Sequence, residues 1–128
     1  MNKVVHFELP ARDFNRAKKF YSDIFGWQIS DYPAGDSLYA LAQTTPGDDS
    51  GPTVPGGING GIMEFDPTRP ATVITIDVPD ISRTFEQITA AGGKILTEIM
   101  PVGDMGSVAY FQDPEGNVVG LWQTTQKS

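Results

Sequence analysis

Val4-Val5-His6-Phe7-Glu8-Leu9 and then Asp13-Phe14-Asn15-Arg16-Ala17-Lys18-Lys19-Phe20-Tyr21-Ser22-Asp23-Ile24-Phe25-Gly26 form the stretch on which the fold turns. The first six residues alternate as a half-buried strand does, and Pro10 confines that strand to an end or an edge. Asp13 is a suitable helix N-cap, because its carboxylate can accept from the free N–H groups of a first turn. Gly26 suits the left-handed stop. Between them Phe14, Ala17, Phe20/Tyr21 and Ile24 recur at three- and four-residue spacing, which predicts one inward apolar face.

Outward from this strand–helix pair, strands are expected near Trp27–Ser30, Leu38–Gln43 and Ile58–Phe65. Thr44–Gly57, rich in proline, glycine and aspartate, reads as a loop. The plan then repeats. Thr72–Val78 is β-branched and strand-like. Asp80 caps a shorter helix with Ile81, Thr84/Phe85, Ile88 and Ala91 inward and Gly92-Gly93 as its stop. Strands follow at Lys94–Met100, Gly106–Gln112 and Asn117–Gln123, and the polar tail from Thr124 to Ser128 should fray. Superimposing Asp13 on Asp80 gives an offset of 67 and lays Val73 on His6. At the last strands Gly61 aligns with Gly120 at an offset of 59, so the first repeat carries eight extra residues, best placed in the loop. Neither half can bury a sheet face alone, so residues 1–128 are expected to form one domain, with module one about 1–66 and module two about 72–124.

The 128 residues carry 9 Lys+Arg against 16 Asp+Glu, a net charge of −7. That balance argues against nucleic acid, whose phosphates need clustered cations, and against an anionic membrane surface. With no cysteine, disulfides, thiolate nucleophiles and thiolate metal sites are excluded. The first nine residues hold no signal-peptide core, and no run approaches a membrane span, so a cytoplasmic protein is expected.

The motif His6-Phe7-Glu8-Leu9-Pro10, the run Arg16-Ala17-Lys18-Lys19-Phe20-Tyr21 with Phe25-Gly26-Trp27, and the closing Asp113-Pro114-Glu115-Gly116-Asn117 together resemble the vicinal oxygen chelate superfamily. That group includes glyoxalase I, bleomycin-resistance proteins, fosfomycin-resistance enzymes and extradiol dioxygenases. The resemblance implies an α+β fold: two βαβββ modules forming a curved mixed sheet around a cleft, with one helix per module outside. Taken as residues, Asp113–Asn117 is first of all a turn.

Metal-binding members place up to four His, Glu or Gln ligands in the cleft, from the first and last strand of each module. His6 matches the first of these positions, while Val73, Gly61 and Gly120 occupy the other three. A catalytic zinc normally needs three protein ligands, and a non-haem iron site needs two His and a carboxylate. With a single His the second cannot be built within one chain, which sets extradiol dioxygenase activity aside. Glyoxalase I chemistry needs a glutamate base, and glycine at 120 cannot titrate. Alternation puts Glu8 on the His6 face, and Asp77 on that of Val73 and Thr75, so His6, Glu8 and Asp77 form a weak candidate set for a divalent metal. The same alternation gives Met63, Gly120, Trp122 and either Tyr110 or Phe111 as apolar cleft wall, suited to an organic ligand.

Two functions are therefore weighed, ahead of a third, an accessory domain whose cleft has decayed. One is a bleomycin-resistance-like protein binding a small organic molecule through His6, Glu8, Met63, Val73, Tyr110, Gly120 and Trp122, without a complete metal site. The other is a divalent-metal-dependent lyase or isomerase related to glyoxalase I, using His6 and nearby carboxylates. A homodimer is expected by family resemblance, and residues 44–57 are expected to be a mobile loop bordering the cleft.

Overall fold

In the computed structural model, which describes residues 1–125, strand β1 (Val4–Ala11) leads into helix α1 (Phe14–Phe25). Asp13 caps the helix, its side chain accepting from the Arg16 N–H, and Gly26 closes it at φ 70°. Strands β2 (Gln28–Asp31), β3 (Tyr39–Gln43), β4 (Gly47–Asp48), β5 (Gly51–Pro52) and β6 (Asn59–Glu64) follow. The second run holds β7 (Val73–Asp77), α2 (Ile81–Ala90), β8 (Lys94–Ile95), β9 (Met100–Val102), β10 (Gly106–Gln112) and β11 (Val118–Thr124). The fold is α+β, with two helices and a mixed set of strands. No helix among the described residues is long and apolar enough to cross a membrane.

The chain separates into two units, and the boundary runs through β1: His6–Thr72 is one, and Met1–Val5 joins the chain from Val73 in the other. In the first, the strand order is β2-β3-β6-β1, with β1 and β6 parallel and the others antiparallel. Ala11, Phe14, Ala40 and Ile62 form its core, and Ala17, Tyr21 and Ile29 pack against them. In the second, β7 and β11 are parallel, β11 and β10 antiparallel, and β8 and β9 both pair with β10. Val78, Ile81, Ala109 and Leu121 form that core, with Ile76, Phe85, Ile88 and Phe111 around it. Asp77 N–H donates to the Lys3 carbonyl at 2.9 Å, which ties the first residues to this unit.

Four expectations are corrected here. Phe20 and Ile24, expected inward, are 53% and 63% exposed. Residues step by about 100° around a helix, so Tyr21 returns close to Phe14 while Phe20 falls well outside the stripe. Ala91 is likewise exposed, at the end of α2. Lys94–Met100 is not one strand: the Tyr110 N–H donates to Thr97 Oγ1 (3.0 Å), and this side-chain acceptor interrupts the ladder between β8 and β9. Residues 44–57 are not structureless. They contain the β4–β5 ladder, and Asn59 Oδ1 holds the base by accepting from the Thr44 and Thr45 N–H groups at 2.8 and 3.1 Å.

The Asp113–Asn117 turn is built as its residues predict. The Asp113 carboxylate accepts from the Glu115 and Asn117 N–H groups, both at 2.9 Å, and Gly116 takes φ 91°. Thr124 closes β11 and the Thr125 N–H donates to the Met105 carbonyl, so the expected fraying does not begin there. Residues 126–128 of the expected tail lie outside the described residues.

Candidate functional site

Alternation along β1 divides its side chains between two faces. Phe7 goes to the α1 side, where it lies 5.6 Å from the Trp27 ring, which stacks on Tyr21 of the helix. His6 and Glu8 therefore share the opposite face, as expected. Glu8 is buried, with 5% of its surface exposed. Burial holds the His6 imidazole below its usual pKa, and neighbouring Glu8 acts in the other direction. The ring is neutral at pH 7.

The partner of His6 is a residue the sequence did not single out. His6 Nε2 and Tyr39 Oη are hydrogen-bonded at 2.9 Å. Tyr39 is the register partner of Met63, and Leu41 that of Gly61, so the phenol reaches diagonally across the β3–β6 pair. It lies over Gly61. A Cβ at that glycine would overlap the Tyr39 hydroxyl and stand 2.7 Å from Cε1. On the opposite face, a Cβ at Gly60 would meet Phe7 Cδ1 at 2.6 Å. Two successive glycines of β6 thus each lie beneath an aromatic ring, one on each side of the sheet. Met63 is buried close by, 4% exposed.

The second unit repeats the arrangement with other residues. Gly120 is the register partner of Thr75 on one side and of Tyr110 on the other. Val73 and Tyr110 are buried. Since Phe111 packs in the α2 core, Tyr110 is the one of that pair that shares the Gly120 face. A Cβ at Gly120 would stand 2.7 Å from Thr75 Oγ1, so the Thr75 side chain fills this position. Trp122 lies across Gly106, where a Cβ would meet Cζ2 at 2.6 Å, and its Nε1 donates to Thr124 Oγ1. An open cavity of about 540 Å³ at the end of β7 is lined by Met1, Lys3, Asp77 and Pro79 among others and includes none of the expected ligand-binding residues.

The resemblance implies a metal held from positions 6, 61, 73 and 120. The residues here do not fit one. The space that a ligand at 61 would need holds the Tyr39 phenol, and that at 120 holds Thr75. Among the described residues no three His, Asp or Glu side chains are grouped so as to hold an ion, which leaves the His6, Glu8 and Asp77 set unassembled.

The model of the Glyoxalase/Bleomycin resistance protein/Dioxygenase superfamily matches residues 3–121. The chain belongs to this superfamily. Among its relatives in the superfamily, a protein of Vibrio parahaemolyticus named probable lactoylglutathione lyase is 33% identical over 129 residues, covering 98% of this chain and 94% of that one. The lactoylglutathione lyase of Haemophilus influenzae is 30% identical over 118 residues, covering 89% and 87%. Mycobacterium tuberculosis CFP32, which carries a glyoxylase name, is 31% identical over 121 residues; the chain spans 44% of its length. Among solved structures, methylmalonyl-CoA epimerase of Mycobacterium tuberculosis aligns with TM-score 0.67 at 15% identity, covering 96% and 88%. That likeness is one of fold.

Proposed function

We propose that this superfamily member binds a small organic molecule, without a catalytic metal, at the sheet face of the first unit that carries His6, Glu8, Tyr39 and Met63; Val73, Tyr110, Gly120 and Trp122 are the candidate ligand-binding residues of the second unit, taken by itself. The observation that carries the reading is the Tyr39 phenol, seated over Gly61 and bonded to His6 Nε2. It leaves a hydrogen-bonded phenol–imidazole pair where metal-dependent members would hold a cation. Apolar surface with a few polar groups suits an organic ligand. A thermal-shift screen with metal-free protein tests this, because a ligand that binds only the folded state raises its melting temperature. His6→Ala should weaken any such ligand by about 1–2 kcal/mol, the cost of one hydrogen bond.

The other reading, a divalent-metal lyase of the lactoylglutathione type, draws on the names of the relatives. One equivalent of metal in protein purified without a His tag would favour it and count against ours.

The homodimer belongs to the same proposal. Phe20, Ile24 and Phe25 are 53%, 63% and 58% exposed along α1. At the repeat offset of 67 their counterparts are Gln87, Ala91 and Gly92, so the large apolar side chains of the first helix have no counterparts in the second module. The Lys19–Asp23 and Lys18–Asp31 ion pairs involve the same helix, which is therefore locally balanced on a chain of net charge −7. A second copy, whose patch offers the same charges in a two-fold arrangement, suits it best.

A further inference from the structure

We infer that Tyr39 is this chain's replacement for a metal ligand, and that Gly61 is glycine because it must admit the Tyr39 ring. The inference rests on the metal-free reading and extends it to a residue pair that superfamily membership does not assign.

An aromatic ring laid across a glycine on a neighbouring strand is a common way to cover a bare stretch of sheet. Phe7 over Gly60 and Trp122 over Gly106 do that here. Tyr39 differs in chemistry. Its ring ends in a hydroxyl, and that hydroxyl meets Nε2 of the single imidazole in the chain at 2.9 Å. Glu8 is the register partner of Gly61 across the parallel β1–β6 pair, so positions 6, 8 and 61 are adjacent on one face. A carboxylate at 61 would bring three ligands together there. The phenol occupies the space such a side chain would need, and it takes the imidazole nitrogen as its own hydrogen-bond partner.

The two residues are therefore coupled. Gly61→Glu by itself must expel the ring, whereas Tyr39→Ala by itself frees the space but supplies no ligand. The paired change Tyr39→Ala with Gly61→Glu should assemble His6, Glu8 and the new carboxylate as a three-ligand site.

Equilibrium dialysis against zinc ion alone, with circular dichroism to verify folding, tests the inference. The unaltered chain should retain no stoichiometric zinc, and the paired variant should bind zinc on the order of 100-fold more tightly than Tyr39→Ala, since a third ligand completes the set. A folded paired variant that binds no better than Tyr39→Ala overturns the inference while leaving the metal-free reading intact. Stoichiometric zinc in the unaltered chain, lost on His6→Ala, overturns both. If the paired variant does not fold, Tyr39→Phe supplies the measurement. Removing the hydroxyl should move the ¹⁵N resonance of His6 Nε2, and an unmoved resonance overturns the inference.

Discussion

A missing side chain can be as informative as a present one, and Gly61 is the case. Its pairing with Gly120 was legible from the repeat, and the shared face of His6 and Glu8 from strand alternation. Tyr39 was not legible. Its contact depends on the register of β3 against β6 and on a diagonal reach between them, and neither leaves a local pattern in sequence. The signal that could have found it is the glycine itself: an unfilled position in a buried strand calls for a large neighbour. Gly61→Ala should cost about 1–2 kcal/mol by denaturant melt, because the new methyl displaces the phenol and breaks its bond to His6. In a Tyr39→Ala background the same change should cost much less. His6 adds a pH dependence of defined sign. Its folded-state pKa lies below the unfolded value of 6.5, so between the two the unfolded chain binds more protons. Stability from this group is complete above 6.5 and declines as pH falls through that window. His6→Gln should flatten the melting-temperature profile there.

At the scale of elements, both helices were legible from caps and spacing. Asp13 and Asp80 each accept from the N–H group three residues on, as their positions predict. The inward face of α1 was read too broadly, because Phe20 and Ile24 sit at helical spacing from Phe14 yet off the line that reaches the sheet. Apolar spacing alone cannot separate a residue that meets the core from one kept for another surface. The 44–57 segment shows the converse. Its composition reads as irregular, but Asp48 accepts from Ser50 N–H (2.9 Å) and the Thr53 N–H reaches the Pro46 carbonyl, so side chains and turns order it. Its base, Asn59, is the register partner of His6, which sets the segment at the His6 end of β1. Deleting residues 47–54 should leave far-UV circular dichroism unchanged. It should also weaken any ligand found in the thermal-shift screen, and unchanged affinity would remove the segment from the site.

Across the whole molecule the duplication was the most readable feature, since two helix caps and two closing strands aligned without any structural information. What it could not place was the seam, which falls inside β1, because Val4 and Val5 at the start of a strand look the same whichever unit they join. Assembly belongs at this scale too. Replacing Phe20 with Glu and Ile24 with Lys should turn the expected dimer into a species sedimenting at 13.9 kDa while the melting temperature changes little. A chain already of that mass across micromolar concentrations, before any substitution, would dismiss the dimer.

The duplicated architecture has also distributed its two tryptophans, one to each unit, in unlike surroundings. Trp27 is stacked on Tyr21 with ring centroids 4.9 Å apart, and Trp122 donates its indole proton to Thr124. The protein therefore carries a built-in pair of fluorescent reporters. Trp27→Phe leaves emission from the second half alone and Trp122→Phe from the first. Melts of the two variants then follow each half separately without cutting the chain or attaching a dye.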